Sequence, residues 1–483
     1  MLKMIHGPLS SEESVEIKNA SWPAPFEPGL EYNSPAHGNW NIVHMGMLLP
    51  EAHQVYVCAA NCNRGVVLTA AEMDAMDRFS FIELQEEDLY SGEMEDLVIR
   101  GVGEILDRLE KKPRILLLFT VCLHHFLGTD LDYIYGTLRD LHPDIYFVDC
   151  YMDCILQKEG LTPDQKLRIK MYDILQKGPV RPRQINFVGN DFPMREESEI
   201  KTILRKAGWT WLDLTELSSL EAYLQMGESC LNICTYPPGQ PGLQILSEKL
   251  DIPGLYLPMT WDYDKIDRQL LSLCRYMGAE NFPPASHDLS LDPSSAISPV
   301  TCPDREEKKD SWAWDLLRAW IDPDSLKKEC EASLEATAAC LRGKSVALDA
   351  SATPQVLGLA RLLLDHGIRV THIYGDAFLP EEEEDWKWLK EHGPDIRICS
   401  VIHHNMRVLP RLADENMIAV GQKAAYFHQT PHFVNMVEGG GLHGYDGILT
   451  MLARIREACS LTRPVEDSIR RKGLGCACLL PPL

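Results

Sequence analysis

Cysteine is the residue type whose spacing in this chain points most directly to chemistry. The sequence holds 15 cysteines, and three pairs of them share the spacing C-x₃-C. These pairs are Cys58 and Cys62, Cys150 and Cys154, and Cys230 and Cys234, and Cys122 stands alone at the end of an apolar run. Thiolates are soft ligands, and clusters of them indicate iron–sulfur, zinc or redox chemistry. Most of these cysteines end strand-like runs, which is where open α/β sheets place their sites.

Cys122 has the local setting that most favours a metal-binding or nucleophilic thiol. It ends the apolar run Arg114–Cys122, and after a short loop Thr129 or Asp130 is placed to cap a helix over Leu131–Leu141. A thiol near a helix N-terminus has a lowered pKa and binds metals more readily. The alternative is a buried cysteine that fills space at a strand end.

The other candidates carry weaker signals. His124 and His125 are candidate ligands or donors to a sulfide, although histidines in such a place are more often polar neighbours. The C-x₃-C spacing of Cys58 and Cys62 belongs to no single metal motif. These two cysteines could therefore be either metal ligands or core residues. Packing at a strand end is favoured for the other two pairs, and a structural role is favoured for the cysteines without partner spacing: Cys274, Cys302, Cys330, Cys340, Cys399 and Cys459. Cys476 and Cys478 either form a redox pair or have no chemical role.

Charge and composition exclude several classes of protein. The net charge of −24 repels phosphate backbones, so nucleic acid is not an expected partner. No apolar run is long enough to predict a membrane span, and the first residues do not form a secretory signal. We therefore expect a cytoplasmic protein whose thiols are reduced. Neither Arg342–Ser345 nor Gly439–Gly444 lies where a phosphate-binding loop would, and no hydrolase motif is present.

The order of predicted elements indicates an α/β protein with three Rossmann-like, doubly wound parallel-sheet domains. In the third domain, strands over Lys344–Asp349, Arg369–Tyr374, Ile396–Ile402 and Met417–Gly421 alternate with helices, which is typical of a parallel sheet. The predicted divisions are an N-terminal arm at 1–36, domains at 37–178, 179–280 and 326–465, a linker at 281–325 and a C-terminal tail at 466–483.

Several segments in this order resemble component 1 of nitrogenase and its relatives, the dark-operative protochlorophyllide reductases and cofactor-assembly scaffolds. Cys58, followed seven residues later by Gly65-Val-Val, resembles the first P-cluster ligand motif of that family. Cys122, followed by Gly128 and Asp130, resembles the later one. The segment around Cys234 resembles the one that carries the cofactor-binding cysteine. Met417–Lys423 and His443–Gly447 resemble the end of the third domain, and the likeness spans about residues 38–460.

The sequence also departs from the nitrogenase pattern. A further cluster cysteine of the alpha chain would fall within Met76–Leu84, which has none, and Cys62 is the candidate to compensate. The histidine ligand of the molybdenum–iron cofactor would fall near Val437, and His432 is close but not aligned. These differences argue against a molybdenum–iron cofactor and against dinitrogen reduction.

The resemblance implies an oxygen-sensitive iron–sulfur oxidoreductase. Its [4Fe–4S] or P-cluster-like centre would use Cys58, Cys122 and Cys62, and Cys150, Cys154, His124 and His125 are weaker candidates. Because a four-iron cluster takes four cysteines, a second component 1-like subunit, identical or paralogous, would complete the set. The chain has no P-loop, so its electrons would come from a separate ATP-binding iron–sulfur reductase. Cys234, His432 and His443 are candidates to contact a second cofactor or a small-molecule substrate.

Two alternatives remain from the sequence. The first is an assembly scaffold that holds a cluster in transit, which the missing histidine ligand favours. The second is an α/β binding protein without a cluster, in which the cysteines are core residues.

Overall fold

The computed structural model describes residues 12–27, 42–152, 160–279, 311–409 and 416–470. These residues form two compact units. The first unit comprises residues 42–152, 160–193 and 210–254, and the second comprises residues 12–27, 194–209, 255–279, 311–409 and 416–470. Four of the cysteines lie outside the described residues: Cys154, Cys302, Cys476 and Cys478. The pattern of the third domain also predicts a helix at Val408–Asn416, and most of it lies outside the described residues.

The strands of the described residues, in chain order, are β1 (Ser14–Glu16), β2 (Ala52–Cys58), β3 (Phe79–Glu83), β4 (Ile115–Val121), β5 (Tyr146–Met152), β6 (Gln184–Phe187), β7 (Thr210–Asp213), β8 (Leu231–Cys234), β9 (Gly254–Tyr256), β10 (Ser345–Asp349), β11 (Val370–Tyr374), β12 (Arg397–Cys399), β13 (Met417–Val420) and β14 (Phe433–Val434).

The helices, in chain order, are α1 (Ile42–Met47), α2 (Ala60–Glu72), α3 (Glu86–Ser91), α4 (Met94–Arg108), α5 (Cys122–Leu127), α6 (Leu131–Leu141), α7 (Pro163–Lys170), α8 (Glu199–Lys206), α9 (Leu220–Leu224), α10 (Gln240–Leu250), α11 (Tyr263–Ala279), α12 (Ser311–Trp320), α13 (Pro323–Cys340), α14 (Val356–Asp365), α15 (Glu383–His392), α16 (Gln422–His428), α17 (Gly444–Ser460) and α18 (Asp467–Arg470).

The first sheet lies in the first unit and has the strand order β3-β2-β4-β5, with every strand parallel to its neighbours. From β2 the chain moves outward to β3 and then returns to the other side of β2 to form β4. The order of the strands therefore reverses between β2 and β4, and in open α/β sheets ligands bind in the crevice at such a switch point.

Apolar side chains on both faces hold this sheet in place. α4 buries Met94, Val98, Val102 and Leu106, which are spaced four residues apart and form one helical stripe. This stripe packs with Leu116 and Leu118 of β4 in one hydrophobic cluster. The opposite face of β2 contacts α1, where the Gln54 Nε2 donates a hydrogen bond of 2.8 Å to the Val43 carbonyl.

The second sheet also belongs largely to the first unit and has the order β7-β6-β8-β9. β6 is parallel to both β7 and β8. Its topology repeats that of the first sheet, so its switch point lies between β6 and β8. The buried amides of Asn186 and Asn232 hydrogen bond to each other across these two strands at 2.8 Å. β9 lies where the chain passes from the first unit into the second.

The third sheet lies in the second unit and has the order β1-β12-β11-β10-β13-β14. The five strands from β10 to β14 are parallel, with the switch point between β10 and β13. β1 comes from the N-terminal arm and pairs with β12 in the antiparallel direction, with Ser14 opposite Cys399. Trp22 of the same arm packs against Phe378 and Trp386.

The fold class that we predicted is confirmed, since three sheets of parallel strands alternate with helices along the chain. Individual elements match closely: the helix that we predicted at Leu131–Leu141 is α6, and the Asp130 carboxylate accepts a hydrogen bond of 2.9 Å from the Tyr133 N–H as its cap. The interval predicted as a linker contains α12 and the beginning of α13. The division into three domains stays a prediction.

Candidate functional site

The switch point of the first sheet brings two of the predicted cysteines to one edge. β2 and β4 are adjacent and parallel, with Tyr56 opposite Phe119. Cys58 is the last residue of β2, and Cys122 directly follows β4. Because neighbouring strands lie about 4.8 Å apart, the backbones of these two cysteines leave the sheet side by side. Cys58 and Cys122 therefore come to the same edge of the sheet, and their sharing of one centre stays a prediction.

Cys58 is buried at the bottom of this crevice. Its side chain is fully inaccessible to solvent, and its carbonyl accepts a hydrogen bond of 3.0 Å from the Leu84 N–H. Burial, followed by the neighbouring Cys62 and Glu83, raises the pKa of the Cys58 thiol to about 12. The thiol is thus protonated at neutral pH, and only a cation with affinity for sulfur would displace its proton.

Cys62 lies above Cys58 on the first turn of α2. Its side chain is exposed, and its backbone N–H donates to the Ala59 carbonyl at 3.0 Å. The C-x₃-C spacing thus places one thiol at the end of a strand and the other on the first turn of the next helix. Because Cys62 acts on the pKa of Cys58, the two side chains are electrostatic neighbours.

Cys122 differs from the sequence prediction in its secondary structure. We predicted it at the end of the strand, followed by a short loop, whereas it is the first residue of the short helix α5. Its side chain is half-buried. Gly128 ends this helix with a φ of +66°, a left-handed conformation that glycine adopts at little cost.

The two neighbouring histidines have different surroundings. The Nδ1 of His124 accepts a hydrogen bond of 3.1 Å from the Val121 N–H, so this ring caps α5. Burial lowers the pKa of His124, and its buried Nε2 has no hydrogen-bond partner among the described residues. His125 stacks on Tyr151, with the ring centroids 6.0 Å apart. His124 is therefore a buried, neutral imidazole that follows Cys122 by two residues.

Cys150 lies within β5 rather than at its end. It is opposite Phe119 in the sheet and is buried, and burial raises the pKa of its thiol well above the usual value. The ring of Tyr56 stacks on Phe119 at 4.3 Å and is an electrostatic neighbour of both Cys58 and Cys150. We did not single out Tyr56 from the sequence, where only its position two residues before Cys58 marks it.

The described residues do not assemble a complete metal site by themselves. Within the described ranges, no group of three or more His, Cys, Asp or Glu side chains is close enough to hold a metal ion. The soft donors at the switch point suit iron and sulfide, but they number fewer than the four that a four-iron cluster takes. The residues present therefore fit part of a cluster site.

The helices that follow three strands of this sheet carry exposed apolar side chains. Phe126 on α5 is 68 % exposed and Tyr90 on α3 is 80 % exposed. Leu127 on α5 and Leu68 on α2 are also exposed. Each lies on a helix that follows the carboxyl end of β2, β3 or β4. Large exposed apolar side chains that gather around one site are typical of a surface that binds another protein.

Cys234 lies at the switch point of the second sheet, where the backbone closes tightly around it. It ends β8 and is buried, and its thiol donates to the Tyr236 carbonyl at 3.2 Å. Gly189 and Gly239 pack on it, and a Cβ on Gly189 would lie 2.6 Å from the Gly239 Cα and 3.1 Å from the Cys234 Sγ. Burial raises the pKa of this thiol to about 12.

His432 and His443 lie at opposite ends of α17 in the second unit. The Nδ1 of His432 donates to the Ala458 and Leu461 carbonyls at 3.0 Å each, at the C-terminal end of this helix. His443 directly precedes the first residue of the helix. A helix of 17 residues is about 25 Å long, so the two imidazoles do not meet at one cofactor.

His443 is the better placed of the two to contact a ligand. It is buried, its Nε2–H donates to the Leu257 carbonyl at 3.0 Å, and its Nδ1 has no hydrogen-bond partner in the described part of the chain. Burial lowers the pKa of His443 to about 4, so the ring is neutral at physiological pH. Val437, near which the sequence pattern places a histidine ligand, is a buried valine and offers no donor atom.

The third sheet has a switch point that we did not identify from the sequence. The buried Asp349 carboxylate accepts from the Ser351 N–H at 2.8 Å and from the Lys423 N–H at 2.7 Å. Gly421 has a φ of +104°, and a Cβ there would lie 2.5 Å from the Cβ of Asp349. The sequence signal that could have identified this switch point is an aspartate at the end of one strand and a glycine directly after the neighbouring strand.

In the described ranges no helix is long and apolar enough to span a membrane. Comparison with known proteins gave two kinds of match. A sequence profile of the family described as Nitrogenase component 1 type Oxidoreductase matches residues 52–460. No curated protein matches the sequence.

Among solved structures, a chain of nitrogenase Cp1 at pH 6.5 superposes with a TM-score of 0.61 at 14 % identity, covering 92 % of this chain and 95 % of its own. A chain of nitrogenase Cp1 at pH 5 gives a TM-score of 0.56 at 13 % identity, covering 93 % and 94 %. At such identities the likeness establishes the fold alone.

Proposed function

Because the chain belongs to the nitrogenase component 1 type oxidoreductase family, we propose that it is an electron-transferring subunit that holds an iron–sulfur cluster at the switch point of its first sheet. Cys58 and Cys122 would be its ligands, and Cys62 would be the third. The observation that carries the proposal is that Cys58 and Cys122 leave adjacent parallel strands at one crevice. When bound, such a cluster accepts and passes on single electrons.

The side chains around the crevice would prepare it for a cluster. Cys58 is a buried, protonated thiol, so cluster binding would release its proton. The capping bond from the Val121 N–H fixes the ring of His124 beside Cys122, with its Nε2 free to hydrogen bond with a sulfide. Tyr56 and Phe119 form the stacked floor of the crevice and exclude water from below.

A second component 1-like chain, identical or paralogous, would complete the site. The cysteines of this chain at the switch point are fewer than the four that a four-iron cluster takes. The exposed side chains of Phe126, Leu127 and Tyr90 offer apolar area for such a subunit around the same edge. A shared cluster explains both features, because the partner would supply the missing thiolates and cover the exposed surface.

The cluster would receive its electrons from a second protein and pass them to a small molecule. Since the sequence has no P-loop, a separate ATP-dependent iron–sulfur reductase would deliver the electrons, and a cytoplasmic, reducing location would suit both proteins. A small molecule would receive the electrons. Cys234 and His443 are the candidates to contact it or a second cofactor. The neutral ring of His443 could accept a proton or a hydrogen bond at Nδ1.

The experiment that tests this proposal measures bound iron and sulfide. The full chain is purified without oxygen, and iron, acid-labile sulfide and the EPR spectrum of the dithionite-reduced protein are recorded for the wild type, Cys58→Ala and Cys122→Ala. We expect both variants to lose most of the iron and the EPR signal. Cys230→Ala is the matched control, because Cys230 is a half-buried cysteine of the same unit that lies away from the switch point.

Full iron content in Cys58→Ala and Cys122→Ala would contradict the proposed ligands. A colourless wild-type protein without iron, prepared alone and together with a co-expressed component 1-like partner, would support the α/β binding protein without a cluster.

A cluster-assembly scaffold is the second candidate function. The buried Val437 favours it, because a valine has no ligand atom in its side chain and stands near the position that holds a cofactor histidine in nitrogenase. A scaffold would transfer its cluster to a cluster-free acceptor protein, and the iron of the donor would fall as that of the acceptor rises. An oxidoreductase supplied with the reductase and ATP would instead keep its iron through repeated cycles of reduction and reoxidation of its cluster.

A further inference from the structure

Two helices of the second unit, α13 and α17, pack side by side in the same direction. Near their beginnings, the Cys330 thiol points to the Tyr445 carbonyl at 3.8 Å. Further along, the Nη1 of Arg456 donates to the Ser333 Oγ at 2.8 Å and to the Thr337 Oγ1 at 2.7 Å. These contacts advance together along both helices, so the residues of their last turns also face each other.

That last turn brings two cysteines to the same place. Cys340 ends α13, and Cys459 is the penultimate residue of α17. Each follows by three residues a member of the bonded pair Thr337 and Arg456, and the Cys340 side chain acts on the pKa of the Cys459 thiol, so the two sulfurs are neighbours. Cys340 is exposed and Cys459 is half-buried, so solvent reaches the pair. Lys344 holds the end of α17 by donating to the Cys459 carbonyl at 3.3 Å. We interpreted both cysteines as structural from the sequence, because neither has a partner at a motif spacing.

We propose that Cys340 and Cys459 form a redox-responsive dithiol that closes to a disulfide on reaction with an oxidised low-molecular-weight disulfide. The Cys340 thiolate attacks one sulfur of the small disulfide, and a mixed disulfide forms while one small thiol leaves. The Cys459 thiolate then attacks the Cys340 sulfur and releases the second small thiol. Two protein thiols and one small disulfide thus become one protein disulfide and two small thiols, and the two protons end on the released thiols.

The surroundings set the order of these two attacks. Cys340 is the accessible sulfur and meets the oxidant first. Burial, followed by the neighbouring Cys340, raises the pKa of Cys459 to about 12, so Cys459 stays protonated while Cys340 reacts. The mixed disulfide removes the Cys340 thiol and leaves Cys459 beside the sulfur it attacks. The other cysteines of the unit among the described residues, Cys274, Cys330 and Cys399, are fully buried.

The bond would fasten the two helices at their C-terminal ends. α17 begins directly after His443, and its C-terminal carbonyls bind His432. The oxidation state of the pair would therefore constrain the helix on which both predicted histidines depend.

The test uses the full chain, purified in a reducing buffer without oxygen, freed of reductant and incubated with glutathione disulfide. Remaining thiols are alkylated under denaturing conditions, and peptides are mapped by mass spectrometry without reduction. We expect a linked peptide pair that contains Cys340 and Cys459, on a monomer in a non-reducing gel, and little glutathione retained on Cys340. We also expect Cys274 and Cys399 to remain free thiols.

Two single variants make the result specific. In Cys459→Ser, Cys340 should react and keep its glutathione adduct, because no second thiol resolves it. In Cys340→Ser, no linked peptide should form and Cys459 should react much more slowly. A wild-type protein that keeps glutathione on Cys340 as Cys459→Ser does, or that links either cysteine to Cys476 or Cys478 instead, would overturn the proposal.

Discussion

The two switch points of the first unit have the same topology but opposite surroundings. In both sheets the strand order reverses between neighbouring strands, and cysteine stands at the carboxyl end of both strands in the first sheet and of β8 in the second. At the first, Cys62 and Cys122 are accessible, and the helices that follow β2, β3 and β4 carry exposed apolar side chains. At the second, backbone from Gly189 and Gly239 fills the space against Cys234. Topology thus provides a crevice, and the residues of the following loops decide whether it remains open.

A buried ion network maintains the closed state of the second switch point. The Arg168 guanidinium, 1 % exposed, donates to the Gly189 carbonyl, to Asp191 and, at 3.1 Å, to the Asp164 carboxylate. The Tyr172 hydroxyl accepts from the Gly189 N–H at 3.0 Å. The first switch point has no comparable clamp among its described residues.

The largest expected effect comes from removing this clamp. Arg168→Met leaves two buried carboxylates without their cation, and we expect a loss of about 3–5 kcal/mol in the free energy of unfolding, measured by urea denaturation. Arg108→Met is the control, because Arg108 is 79 % exposed in its ion pair with Glu104, and its loss should cost less than about 0.5 kcal/mol. Equal stability of the two variants would refute the role given to Arg168.

A smaller effect is expected from one methyl group at the closed switch point. Gly189 has a φ of +75°, and Gly189→Ala places its Cβ against the Gly239 backbone. The combined strain and overlap should cost about 3 kcal/mol of unfolding free energy. Gly103→Ala is the matched change within α4, where a Cβ meets nothing within 4 Å, and it should stabilise the protein by about 0.5–1 kcal/mol. A tolerated Gly189→Ala would mean that the second crevice is looser than described.

The smallest effect is expected in an experiment that changes no residue. It compares the reactivity of the cysteine thiols at the two switch points. In iron-free protein, iodoacetamide at pH 8 should modify Cys62 and Cys122 before Cys58 and Cys234, as followed by peptide mass spectrometry. The raised pKa values of about 12 leave few thiolates at Cys58 and Cys234, and their reaction should accelerate as pH rises. Each pH unit should give about a tenfold increase while the fold persists.

Cluster loading should then protect Cys62 and Cys122 and leave the labelling of Cys234 unchanged. Equal protection at both switch points would contradict the conclusion that the first is open to a cluster and the second is closed.

The fold could be predicted from the sequence where local signals are strong. Asp130 caps α6 where an N-cap aspartate was expected, and β10, β11 and β13 match apolar runs of strand length. α5 was missed because six residues carry too little periodicity to distinguish a short helix from a loop. Cys150 was assigned to a strand end because the run around it gives no signal for its last residue.

The candidate site was less predictable because it depends on contacts between distant residues. Gly189 and Gly239 lie in separate segments and pack closely against Cys234, and no local sequence pattern predicts that contact. The separation of His432 from His443 follows from α17, a helix that the sequence analysis did not place. The pairing of Cys340 with Cys459 has the same origin, since only the packing of two long helices brings these residues together.

The antiparallel edge strand β1 has a consequence for how the protein is made. Ser14 pairs with Cys399, so the N-terminal arm waits through most of translation before its partner strand leaves the ribosome. Until then, the backbone N–H and C=O groups of β1 have no partner strand. A truncation or bulky fusion that removes the arm from its place would leave β12 as a bare sheet margin, which invites association between copies. Expression tags are therefore better placed away from this arm.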